Sequence, residues 1–139
     1  MSWPNMSKPT CVRVFGDIDG VLGVLEFAEI PFVPRRFFWL SEVPANQIRA
    51  DHAHRTCEQF LVCICGKLSA EVTGRGNSTR TIQLTRGESL YLEPLEWLRL
   101  SDFDDGTVLG VFASEPYNPD EYIESFDELS RIWSQSLKD

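Results

Sequence analysis

Turn-forming residues interrupt this chain at short intervals, and that spacing constrains its fold more than any other feature. Asp19-Gly20, the GRGN of 74–77, Arg86-Gly87 and Asp104-Asp105-Gly106 are turn signals. Glycine supplies positive φ without steric cost, and Asn and Asp side chains bond their own backbone. Between these points lie short runs rich in Val, Ile, Leu, Phe and Thr: 12–15, 21–27, 36–40, 47–54, 59–66, 67–74, 78–84, 88–94, 96–103 and 107–114. Such a succession of short strands predicts an all-β sandwich or barrel. GRGN followed by a polar strand predicts a hairpin.

The C-terminal stretch reads differently. Asn118 suits an N-cap, Pro119 the first helical position, and Asp120 and Glu121 the positive end of a helix. Tyr122, Phe126, Leu129, Trp133 and Leu137 then recur at spacings of three and four. The pattern predicts one amphipathic helix of about five turns, laid on the sheet. Residues 1–9 read as a loose arm, and 10–139 as a single domain large enough to bury a core without disulfides.

The net charge of −8 argues against nucleic acid as a general partner, since phosphate binding is driven by Lys and Arg. It leaves room for one phosphate-bearing small ligand held by local arginines, for which Arg35, Arg36, Arg55 and Arg99 are candidates. MSWPNMSKPT holds no apolar signal-peptide core, and the apolar run FLVCIC (60–65) is far too short to cross a bilayer. A cytoplasmic protein with no membrane partner is the expectation. Cys11, Cys57, Cys63 and Cys65 then read as free thiols, with Cys63 and Cys65 on one strand face.

Both histidines of the chain, His52 and His54, stand in ADHAHRTCEQFLVCICG (50–66). Alternation on a strand puts both rings on one face. Three readings stay open: a metal site, an acid/base pair, or ordinary polar residues of a strand. The spacing fits the first motif of a cupin barrel, whose metal ligands are two histidines, a carboxylate and a later histidine. Here the third position is Gln59 and the fourth falls near Leu98, so the metal reading lacks two of four ligands. A neutral imidazole facing a barrel cavity can take or give a proton near neutral pH.

The chain resembles the nucleotide-sugar 3,4-ketoisomerases, small cupins that act on dTDP-4-keto-6-deoxyglucose. The resemblance rests on IPF (30–32), Arg36, Arg49 ahead of His52 and His54, Gln59, Gly66, EPLEW (93–97), DF (102–103) and VFASEPYNPDEYIESFDEL (111–129). It spans about residues 11–130. It implies an all-β cupin jelly-roll barrel with one C-terminal helix, working without metal or cofactor. The implied reaction moves a carbonyl from C4 to C3 of a nucleotide-linked 6-deoxyhexose through an enediol. His54 would be the main base and His52 its partner. Arg36, Arg49, Gln59, Trp97 and Tyr117 would bind substrate. Trp97 and Tyr117 would stack on base or sugar, although core packing suits either equally. The resemblance also implies homodimers with exchanged N-terminal strands, and an outward stripe of Phe60, Val62 and Ile64 agrees.

The chain departs from the family at several points. Asp19 stands where the family has an early arginine, Phe38 and Trp39 where it has a tyrosine pair, and Leu98 where it has a histidine. Arg49 lies three residues before His52, on the opposite face of a regular strand, so a bulge or a long reach is needed for both to meet one ligand. The alternatives are a non-catalytic cupin that binds a nucleotide sugar, and a related cupin acting on a different keto-sugar.

Overall fold

The structure, a computed structural model, describes residues 10–136. Its strands are β1 (Thr10–Cys11), β2 (Arg13–Asp17), β3 (Gly20–Val24), β4 (Arg36–Ser41), β5 (Arg49–His54), β6 (Gln59–Cys65), β7 (Lys67–Gly74), β8 (Ser78–Thr85), β9 (Glu88–Leu92), β10 (Trp97–Ser101), β11 (Val108–Ala113) and β12 (Tyr122–Ile123). One helix follows, α1 (Phe126–Ser136). Each strand expected from the turn spacing is present, and GRGN joins β7 to β8 as a hairpin. The strands form two five-stranded sheets, in the orders β1-β9-β6-β11-β4 and β12-β5-β10-β7-β8, with β2 and β3 paired to each other. Every pairing is antiparallel.

The two sheets bury their facing sides in one core, as a jelly roll does. Leu61 and Cys63 of β6, Leu90 and Leu92 of β9, and Leu109 and Val111 of β11 meet Leu68, Ala70 and Val72 of β7, Leu84 of β8, and Leu98 and Leu100 of β10. Full burial of one such leucine contributes roughly 1.5–3 kcal/mol, so this inner layer dominates the fold's stability. The turn from β6 into β7 depends on Gly66, whose φ is +86°. A Cβ there would lie 2.3 Å from Thr107 Oγ1. That hydroxyl accepts from the Lys67 N–H at 3.1 Å, which ties the turn to the start of β11.

The C-terminal segment corrects the expected helix. Asn118 does cap, accepting from the Asp120 N–H at 3.0 Å, and Pro119 follows it, but the capped element is one 3-10 turn at Pro119–Glu121. Tyr122 and Ile123 then extend and pair with His54 and Ala53. The free edge of β5 offers their backbone ladder bonds that compete with helix formation. Helix α1 begins only at Phe126, where Ser125 Oγ accepts from the Glu128 N–H at 3.3 Å. Its Phe126, Leu129 and Trp133 cover the outer face of the second sheet at Ala53, Ile123, Leu95 and Trp97. The expected arm at 1–9 and the expected last helical contact, Leu137, lie outside the described residues.

On the outer face of the first sheet, Phe60 and Val62 are buried under Val12 and Ile30 of the same chain. Ile64 remains half exposed, and so do Phe37, Trp39 and Phe27 nearby. The β2–β3 hairpin is exposed along both strands. Among the described residues, no helix is long and apolar enough to cross a membrane.

Candidate active site

Strand β5 carries the histidines, and its register explains how His52 shares a cavity with Arg49. Leu98 of β10 pairs with His52, but the next residue, Arg99, pairs with Ala50. Asp51 is therefore an extra residue, the mark of a β-bulge. Ala50 and Asp51 both have left-handed backbones, with φ of 64° and 63°. The bulge resets the alternation of side chains along the strand. Arg49 and His52, which regular spacing would put on opposite faces, both line one cavity of about 230 Å³ between the sheets. The Asp51 carboxylate, on the outside, accepts from Trp97 Nε1 at 3.0 Å.

Gln59, Phe38, Leu98 and Tyr122 complete the functional part of that cavity wall. Gln59 and Leu98 occupy the two positions where a metal-binding cupin needs a carboxylate and a histidine. An amide and an alkyl chain beside two imidazoles make a poor donor set. Among the described residues, no group of three or more His, Cys, Asp or Glu is gathered that could hold a metal ion.

His54 is 2% exposed. Its ring lies 4.8 Å from that of His52 and perpendicular to it, and 4.8 Å from the ring of Tyr122. The His52 and Tyr122 rings are 4.9 Å apart, so the three form a triangle. Neither ring nitrogen of His54 has a hydrogen-bond partner among the described residues, although both are buried. Such orphaned groups are costly and rare, and they cluster where a ligand belongs. Burial lowers the His54 pKa to about 4, aided by the neighbouring His52 and by Arg36 and opposed by Glu121. Burial lowers that of His52 too, partly offset by the Ala50 backbone, Glu124 and Asp51. Both rings are thus neutral at neutral pH and able to accept a proton.

Arg36 stands at the start of β4, with Cζ 5.2 Å over the Phe38 ring and 5.8 Å from the Tyr117 ring. Its buried Nε has no partner among the described residues. Tyr117 is 66% exposed, with its ring 6.1 Å from that of Tyr122, a residue of the cavity wall. Arg35 and Arg55 are held in surface ion pairs with Glu115 and Glu128. Phe38 lines the cavity while Trp39, one residue on, points out and is 62% exposed.

Trp97 corrects the sequence expectation. It does not line the cavity; its indole packs on Phe126 of α1 at 5.5 Å, on the outer face of the sheet. Neighbouring Leu98 takes the inward position, as alternation along β10 requires. Two residues escaped the sequence reading. The spacing puts Tyr122 on a helix face, and only its cross-strand pairing with His54 brings it to the site. Asp51 gave no signal beyond its tolerance of left-handed backbone. Cys57, Cys63 and Cys65 are free thiols. Cys63 lies in the core and Cys65 is half-buried, because the β6–β11 register shifts between them.

Comparison with known proteins agrees with this geometry. The family model FdtA (WxcM-like, C-terminal) matches residues 7–134. The TDP-4-oxo-6-deoxy-alpha-D-glucose-3,4-oxoisomerase of Aneurinibacillus thermoaerophilus is 30% identical over 120 residues, covering 86% of each chain. QdtA, a sugar 3,4-ketoisomerase from Thermoanaerobacterium thermosaccharolyticum solved with TDP, superposes with a TM-score of 0.85 at 27% identity, over 93% of this chain and 95% of that one. A histidine-to-asparagine variant of QdtA, solved with TDP-4-keto-6-deoxyglucose, gives 0.86 at 25% identity, over 98% and 99%. NovW, a 4-keto-6-deoxy sugar epimerase at 17% identity, shares the fold alone, with a TM-score of 0.70. With its facing sheets, its paired histidines and these matches, the chain belongs to the FdtA family of sugar 3,4-ketoisomerases.

Proposed function

We propose that this protein moves the keto group of a TDP-linked 4-keto-6-deoxyhexose from C4 to C3, using His54 as base and His52 as its partner. One observation carries the reading: two adjacent imidazoles are kept neutral by burial, and one of them shares a cavity with Arg49. The C4 ketone acidifies the C3 proton. An imidazole of suitable basicity removes it to give an enediol, and return of a proton at C4 completes the isomerisation. No external oxidant or reductant is needed. Arg49 and Arg36 bind the diphosphate, Gln59 the sugar, and the exposed ring of Tyr117 the base.

The relatives' ligands support the nucleotide: QdtA is solved with TDP and with TDP-4-keto-6-deoxyglucose. The free thiols favour a reducing compartment, hence the cytoplasm. The exposed hairpin and aromatic outer face favour a homodimer with exchanged N-terminal strands.

The test is incubation with TDP-4-keto-6-deoxyglucose in D₂O, followed by NMR. Wild type should place deuterium at C3 or C4. His54→Asn should retain TDP binding and lose turnover by about 10²- to 10⁴-fold, and His52→Asn somewhat less. A second reading, a binding cupin without turnover, is favoured by Phe38, whose ring fills the wall where the family carries a phenol. Tight TDP binding with no deuterium uptake above the enzyme-free rate, across several nucleotide sugars, would establish it instead.

A further inference from the structure

We propose that the Tyr122 phenol is the site's second proton carrier, moving a proton between O3 and O4 while the histidines serve carbon. The proposal rests on the ketoisomerase reading and adds a group to it. Isomerisation needs two proton movements, one between carbons and one between oxygens. Among the described residues lining the cavity, Arg49 is permanently charged, Gln59 is an amide, and the Phe38, Leu and Val side chains carry no exchangeable proton. His52 and Tyr122 remain.

Position supports the assignment. Tyr122 is paired directly with His54 across the β5–β12 ladder, so the two side chains leave the sheet on one face. The phenol ring is within 5 Å of both imidazole rings, at 4.9 and 4.8 Å. A dense clamp fixes the segment. The Glu121 carboxylate accepts from the Thr56 N–H at 2.8 Å, Thr56 Oγ1 at 2.7 Å and the Cys57 N–H at 2.8 Å. The Arg55 N–H donates to the Glu121 carbonyl at 3.0 Å. The loop that follows His54 thus holds the residue that precedes Tyr122, which keeps phenol and imidazole in register.

The steps balance. The imidazole first takes the C3 proton; the C3–H electron pair forms the C3–C4 double bond and the carbonyl pair leaves an enediolate charge on O4, which then receives the phenol proton. The phenolate then takes the O3 proton, and the O3–H pair becomes the C3 carbonyl. The double-bond pair accepts the imidazolium proton at C4. Both groups return to their starting states.

Tyr122→Phe preserves ring packing and removes the hydroxyl. It should bind TDP like wild type and lose 3-keto product formation by about 10²-fold or more, while deuterium exchange at C3 of recovered substrate falls less than tenfold. Incorporating 3-fluorotyrosine at 122 should move the basic limb of the turnover profile to lower pH; this arm decides if Tyr122→Phe fails to fold. Turnover within threefold of wild type in Tyr122→Phe would overturn the proposal. Equal loss of exchange and turnover, with an unshifted profile for the fluorinated protein, would overturn it too and make Tyr122 structural. If wild type itself shows neither exchange nor turnover, the ketoisomerase reading fails. If wild type is active and His54→Asn is dead while Tyr122→Phe is fully active, only this inference fails.

Discussion

His54 ties the electrostatics of the candidate site to the stability of the fold. Its pKa falls from 6.5 to about 4 on folding. Below about pH 6.5 the unfolded chain takes up a proton that the folded chain refuses, so stability is lost as the pH falls through that window. The full shift corresponds to about 3 kcal/mol. Denaturant titrations at pH 7 and about pH 4 should show wild type losing more stability than His54→Asn by roughly that amount. An equal loss in both would mean that the ring is not desolvated. With His54 as the proposed base, the same shift keeps that base unprotonated well below pH 6.5, so the acid limb of kcat/KM should lie nearer to about 4. At this scale too, Arg49→Ala should weaken TDP affinity by roughly 1.5–3 kcal/mol, the worth of a charged hydrogen bond, as read by calorimetry.

The bulge in β5 decides at the level of the element what one residue cannot. Two successive left-handed residues, Ala50 and Asp51, turn the strand so that Arg49 rejoins His52 in the cavity. Non-glycine residues in this conformation cost of order 1–3 kcal/mol each and persist where surrounding contacts fix them. Trp97 supplies one such contact, its Nε1–H donating to Asp51 from the outer face. Trp97 therefore acts behind the site rather than in it. Asp51→Val, β-branched and without an acceptor, should lower TDP affinity about as much as Arg49→Ala. Asp51→Asn keeps both the acceptor and the tolerance of left-handed backbone, and should stay within about threefold of wild type. If calorimetry gives Asp51→Val wild-type affinity, the bulge does not aim Arg49.

Across the whole molecule, the two faces of the first sheet are unequally covered. The inner face packs against the second sheet except where the cavity lies between them. Outside, the tilted rings of Phe37 and Trp39 lie 6.2 Å apart and stay open to solvent, beside a groove of about 500 Å³ running between Val12, Val21, Leu25, Val62, Ile64 and Phe112. The β2–β3 hairpin adds exposed Val14, Phe15, Val21 and Leu22, and its tip residue Ile18 is 100% exposed. Apolar surface in this quantity is a mark of an association face. Light scattering at micromolar concentration should give a dimer mass, and the double change Phe15→Ser with Leu22→Ser should shift it towards monomer. A monomer mass for wild type would contradict the proposed dimer.

What the sequence determined by itself was whatever depends on neighbours along the chain. Turn residues and β-branched runs marked the strands, because each acts within a few residues. The His-x-His alternation put both rings on one face, because side chains alternate along any extended strand. The tertiary structure decided what depends on register between strands. The bulge that reunites Arg49 with His52 exists only in the pairing of β5 with β10. Tyr122 reaches the histidines because an unpaired edge of β5 drew residues 122–123 out of a helical pattern. Trp97 faces α1 because Leu98 took the inward place. Hydrogen-bond ladders between segments far apart in sequence set these positions, and no local periodicity encodes them.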